Sequence, residues 1–269
     1  MTTLTARRAA NSSAMEAAAR LGFIARGLIY LLVGLLALQI AFGQGGKEAD
    51  KGGALTEISG KPMGSVVLWA VGIGLAGMAL WRLSEALFGA AGPDGHKPGK
   101  RLLSAGRFIL YGVMSYSVLA FAAGDQGSGS SDQQSQDVTA KALELPGGQW
   151  LVGLTGLGIA IAGVWIGVRA AMRKYHEHLK LGEMSRRTRQ AVDVTGVVGG
   201  VARGLVFAAV GGFAVQAAVS YEPDKAKGID DTLRSFADTP VGPWLLVAVA
   251  AGLALFGLFS FAMARWRKV

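Results

Sequence analysis

Three arginines stand inside apolar stretches of the chain: Arg26 in IARGLIYLLVG, Arg107 in GRFILYGVMS and Arg203 in VARGLVFAAVG. Each is followed four positions later by an aromatic residue (Tyr30, Tyr111, Phe207) and eight positions later by a small one (Gly34, Ser115, Gly211). A guanidinium is a permanent, planar charge whose paired N–H groups match a carboxylate or a phosphate. Three of them brought together could hold a small anion or an anionic lipid headgroup, with Tyr30 and Tyr111 beside it. The same arginines could instead anchor, capping carbonyls at the end of a neighbouring helix or reaching to lipid phosphates. Both roles are open at this level.

The elements that must position these residues are repeated with them. Fifteen positions after each arginine stands an alanine (Ala41, Ala122, Ala218), and after a polar loop each unit resumes with proline, any residue, glycine: Pro62 and Gly64, Pro146 and Gly148, Pro240 and Gly242. Twelve residues past each proline is another glycine, at Gly74, Gly158 and Gly252. The chain is thus three copies of one two-helix unit. The expected division is a tail over 1–20, repeats over 21–90, 102–173 and 194–269, and a basic connector over 174–193.

The composition agrees with this division. Of 269 residues, 51% are hydrophobic, 17% are charged and 40 are glycine, a balance too apolar for an ordinary soluble domain. Spanning helices need about 20 predominantly apolar residues, and six windows qualify: 21–42, 64–83, 103–123, 149–168, 195–219 and 243–264. The expected fold is an all-α membrane protein of six transmembrane helices. Two spans per copy give all three copies the same orientation, and a pseudo-threefold bundle is the simplest packing. The first span follows Arg7 and Arg8 in the manner of a signal peptide, but its place in the repeat makes it a permanent helix.

On a helix of 3.6 residues per turn, offsets 0, 4, 8, 11 and 15 from the arginine share one face. Small residues there mark close helix packing, so the arginines are directed toward protein rather than lipid. The P-x-G motif is expected to start each second helix, with proline at the first helical position and Thr239 capping the third copy.

Charge sets the orientation. If the termini are cytoplasmic, 20 of the 27 Lys and Arg lie in or beside inner segments, and 12 of the 18 Asp and Glu lie in outer loops. Positive charge at membrane ends is retained inside, so both termini are expected to be cytoplasmic, with the basic face toward anionic lipid. The stretch RAAMRKYHEHLKLGEMSRRTRQ reads as a helical continuation of the fourth span. The outer pieces ALTEIS and DTLRSFAD read as short surface helices, and GDQGSGSSDQQSQD as a mobile low-complexity loop.

Other chemistries find no support. The chain has no cysteine, His176 and His178 lack a ligand set for metal, and no phosphate loop, dinucleotide fingerprint or hydrolytic triad is present. No basic run interleaved with aromatics suggests nucleic acid. Neither an enzyme nor a cofactor is expected. The function expected first is anion or lipid-headgroup binding at the arginines, with a permeation pathway as its extension; the alternative is a structural or accessory subunit that docks another membrane protein.

Arginine, aromatic and small residue followed by a loop and P-x-G, three times over, resembles the bacterial membrane family named domain of unknown function 1206. The likeness covers about 21–264. Copies one and three fit best, and copy two has Phe108 where they have Gly27 and Gly204. What the resemblance implies is a six-span protein of the bacterial plasma membrane; it implies no activity or cofactor.

Overall fold

The computed structural model describes residues 13–43, 48–89, 97–125 and 130–268. All six expected spans are helices long and apolar enough to cross a membrane. In chain order the helices are α1 (Ser13–Ala41), α2 (Lys51–Ser59), α3 (Gly64–Phe88), α4 (Pro98–Ala122), α5 (Ser131–Leu143), α6 (Gly148–Ala171), α7 (Arg186–Ser220), α8 (Ile229–Ala237) and α9 (Gly242–Trp266). Each repeat is therefore long helix, short helix, long helix. The 24 residues of α6, the shortest long helix, rise about 36 Å at 1.5 Å each, enough for a hydrocarbon core of about 30 Å.

Four expectations change. The helix α1 begins at Ser13, so part of the expected tail over 1–20 is helical, while residues 1–12 lie outside the described residues. The low-complexity loop contains α5, because Ser130 caps it by accepting from Gln133 N at 3.2 Å. The basic stretch after α6 does not continue that helix. Arg173 turns left-handed at φ 53°, short 3₁₀ turns follow at Lys174–His178 and Leu181–Glu183, and Ser185 caps α7. The connector expected over 174–193 thus ends in helix, where Asp193 meets Arg173 and the Tyr175 hydroxyl. Finally, the proline of P-x-G does not open the second helices. It lies two residues before each, in a turn closed by Gly64 N to Lys61 O, Gly148 N to Leu145 O and Gly242 N to Thr239 O at 2.8–2.9 Å. The glycine is the helix start, and a Cβ on Gly64, Gly148 or Gly242 would overlap the carbonyl of Ile58, Ala142 or Ala237 at the end of the short helix. Thr239 donates back to Phe236 O instead of capping forward.

Packing follows the repeat. The first helix of each copy lies on the second helix of the copy before it, cyclically: α1 on α9, α4 on α3, α7 on α6. The small residue eight positions after the arginine sits in each of these seams. A Cβ on Gly34 would come within 2.7 Å of Ala250 O, one on Gly211 within 2.5 Å of Gly156 O, and Ser115 Oγ donates to Gly72 O at 2.9 Å. Such seams let backbones touch, the means of helix association where lipid removes the hydrophobic drive.

The short helices interlock at the end of the bundle opposite the termini in the same cycle. Asp50 of the first copy accepts from Ser131 N of the second at 2.8 Å, Asp132 of the second from Asp231 N of the third at 3.2 Å, and Asp230 of the third from Ala49 N of the first at 2.7 Å. These carboxylates meet the exposed N–H groups of helix starts, where a negative charge is favoured.

The pseudo-threefold is broken at one place. Within the first and third copies the two long helices pack together, but α4 and α6 of the middle copy do not pack along their length. Gly74 faces Leu21 and Ala25, and Gly252 faces Ala202, whereas the corresponding Gly158 has nothing within 4 Å.

Candidate functional site: an arginine cluster inside the bundle

The three sequence-predicted arginines come together. Arg26 lies between the rings of Phe23 and Phe256, at 4.8 and 5.3 Å, and donates from Nε to Ser260 Oγ at 3.1 Å. Its guanidinium also lies beside the Tyr111 hydroxyl. Arg203 donates from Nε to the Tyr30 hydroxyl at 2.8 Å and lies over the rings of Phe207 and Phe256 at 5.2 and 5.0 Å. Phe256 is shared by both arginines. Tyr30 and Tyr111 thus serve the arginine of a different repeat, one helix face reaching across the bundle to the next, while Phe207 stays with the arginine of its own repeat.

That exchange is also cyclic, and it fails once. The first copy's arginine takes the second copy's Tyr111, and the third copy's takes the first copy's Tyr30. By the same rule Arg107 would take the aromatic of the third copy, which is Phe207 and carries no hydroxyl. Among the described residues Arg107 has no hydrogen bond or ion pair, though its charge lies near those of Arg82, Glu85 and Arg203. It is exposed where α4 and α6 part.

Anchoring of the capping kind falls to other arginines. Arg20 donates to the carbonyls of Ala264 and Arg265 at the end of α9, at 2.8 and 2.9 Å, and Arg101 to those of Ala86 and Leu87 at the end of α3, at 2.7 and 2.8 Å. These are the C-terminal carbonyls that a helix leaves unpaired. Arg20 and Arg101 each stand six residues before Arg26 and Arg107, about 1.7 turns toward the start of the helix.

Two members were not singled out from sequence. Arg82 is buried on α3, over the Trp81 ring at 4.1 Å, and pairs with Glu85 at 2.6 Å; Ser104 Oγ donates to the same carboxylate at 3.2 Å. Arg267, just past α9, stacks on Trp81 and Phe23 at 4.9 and 5.2 Å. Its backbone is held by a single bridge to Leu179. The Nε atoms of Arg82 and Arg267 are buried without a hydrogen-bond partner. Repetition does not reveal Arg82, because Ile166 and Ser260 occupy its position in the other copies.

Arg26, Arg82, Arg107, Arg203 and Arg267 therefore form one electrostatic neighbourhood with Glu85 as its carboxylate among the described residues. Guanidinium does not deprotonate in proteins, so four positive charges are left unmatched. The P-x-G residues are not part of this site; they lie at the opposite end of their helices.

The family model described as Domain of Unknown Function (DUF1206) matches the chain three times in tandem, over residues 21–89, 104–173 and 198–267. The chain belongs to the DUF1206 family. Each match takes in one of the arginines Arg26, Arg107 and Arg203 and one P-x-G turn. An uncharacterized protein of Bacillus subtilis (strain 168), YxxB, is 36% identical over 249 residues, covering 90% of this chain and 87% of that protein. No solved structure matches.

Proposed function

We propose that this DUF1206 protein is a non-catalytic protein of the bacterial plasma membrane that holds an anion at the arginine cluster, with both termini and the cluster on the cytoplasmic side. The observation that carries the reading is the excess of guanidinium over carboxylate in a partly buried cluster, with Nε of Arg82 and Arg267 buried and unpartnered. A buried charge without a partner is costly, and an anion accepting from several guanidinium groups would offset that cost. The orientation rests on the weight of Lys and Arg at the terminal side.

Holding is favoured over passage. Outward of the cluster, Leu36, Leu75, Val118, Leu246 and Leu253 are all but fully buried, apolar side chains that offer an ion no hydrogen bond. The test is a titration of inorganic phosphate and sulfate onto the detergent-solubilised full chain, followed by thermal unfolding and calorimetry. Binding by the wild type that is lost in Arg26→Gln and Arg203→Gln supports the reading. Equal response, or none, in wild type and both folded variants overturns it.

A second reading, an accessory subunit that docks another membrane protein, draws on the unpaired faces of α4 and α6. It predicts a stable complex with a membrane partner whose assembly survives loss of Arg26 and Arg203.

A further inference from the structure

The break in the threefold lies at the cluster. Three sets of corresponding positions trace it. Leu110 of α4 is 53% exposed, while its counterparts Ile29 and Val206 are 5% and 2% exposed. Trp165 of α6 is 61% exposed, while Trp81 and Phe259 are each 5% exposed. Gly158 meets nothing within 4 Å. On the exposed side of α6, a shallow apolar groove of about 300 Å³ is lined by Ala160, Ile161, Val164, Trp165 and Val168. The middle copy thus presents a lateral opening with apolar walls, and the unpartnered Arg107 stands at it.

Such an opening faces hydrocarbon. A soluble anion has no route through it, and a neutral lipid would leave Arg107 unmatched. An amphiphile with an acidic head satisfies both parts: an acyl chain covers the groove, and its head accepts from the guanidinium that lacks a hydroxyl partner. We propose that the anion is the phosphate headgroup of an anionic membrane lipid, seated between α4 and α6 with Arg107 as its first ligand and the other arginines behind it. This rests on the anion-binding reading and narrows it to one source. Phosphate and guanidinium match in planar, paired hydrogen bonds, and charge complementarity selects anionic over zwitterionic lipid.

The experiment places the full chain in nanodiscs of equal parts phosphatidylglycerol and phosphatidylcholine and counts retained lipids by native mass spectrometry. Inorganic phosphate is titrated in parallel. The wild type is expected to retain phosphatidylglycerol over phosphatidylcholine by about tenfold, corresponding to about 1.4 kcal/mol. Gly158→Trp, which fills open space and touches none of the arginines, should abolish that preference while leaving phosphate binding in place. Arg107→Gln should abolish it as well. Absence of a preference in the wild type with phosphate still bound overturns the lipid inference and leaves the anion reading standing; absence of both overturns both. Undiminished phosphatidylglycerol in Gly158→Trp, or a wild-type dimer that this variant makes monomeric without any lipid, also overturns the inference, the latter by placing a second helix in the opening.

Discussion

Arg203 and Tyr30 are separated by 173 positions and joined by one hydrogen bond of 2.8 Å from Nε to the phenol oxygen. The bond ties the third repeat to the first at the level of the cluster. Removing the acceptor leaves a half-buried guanidinium edge without a partner, which costs up to the ~1–3 kcal/mol of a fully buried group. Tyr30→Phe is expected to lower the thermal unfolding midpoint clearly, and Tyr111→Phe to do the same through Arg26. The measurement is a melting curve of the detergent-solubilised protein; an unchanged midpoint in both would show the hydroxyls to be idle.

The missing third hydroxyl yields the converse change. Phe207→Tyr would place a phenol where the cyclic exchange predicts a partner for Arg107, and the ring needed by Arg203 at 5.2 Å would be kept. Stability should rise by about 1 kcal/mol, the typical net value of one hydrogen bond. The variant should also bind anion more weakly, because the guanidinium most open to a ligand would be occupied. A gain in stability with unaltered binding would separate Arg107 from the ligand.

Much of this was legible in the sequence, for identifiable reasons. Spans appear because lipid demands long apolar runs, and the repeat because three copies preserve the arginine, the small residue and P-x-G. That Arg26 and Arg203 face protein followed from offsets on one helical face; Arg107, at the same offsets, is exposed. Arg82 and Arg267 were illegible as members because neither repeats. The opening at α4 and α6 was illegible because Leu110 and Trp165 are as apolar as the buried residues they correspond to, and a helix face toward lipid looks like one toward protein. Low complexity hid α5, whose N-terminus depends on Ser130 and on Asp50 of another repeat.

Two glycines of α6 lie five positions apart and should respond oppositely to the same change. A Cβ on Gly163 would approach Gly204 O to 2.7 Å and also meet Ala208 N in the seam with α7, while one on Gly158 meets nothing within 4 Å. Gly163→Ala is expected to force the helices apart at about 1–3 kcal/mol, the usual range for overpacking. Gly158→Ala should be neutral or slightly stabilising, since alanine is the better helix former. Melting curves of the two variants decide this; equal destabilisation would mean that the middle copy is closed in the membrane.

The interlock of the short helices carries a pH signature. Burial is the main reason that Asp132 is held up at about 6 against an ordinary 3.8; N–H donation from Asp231 and Gly228 pulls the other way, and the nearby charges of Asp231 and Asp230 add to the rise. Glu48, on the same side, is raised too, first by burial and then by Asp50. The folded state therefore keeps a proton on Asp132 between pH 3.8 and about 6 that the unfolded chain has lost. By linkage, the contribution of this group to stability is largest at low pH, falls as pH rises through that window and is flat above it. The expected result is that unfolding of the wild type becomes harder on acidification from pH 7 to pH 5, and that Asp132→Asn, neutral throughout, loses this part of the dependence while staying folded. Hydrogen exchange at Asp231 N, which donates to Asp132 at 3.2 Å, reads the local effect directly. An identical pH profile in wild type and Asp132→Asn would mean that the carboxylate is solvated and that the ring of Asp50, Asp132 and Asp230 is looser than its hydrogen bonds imply.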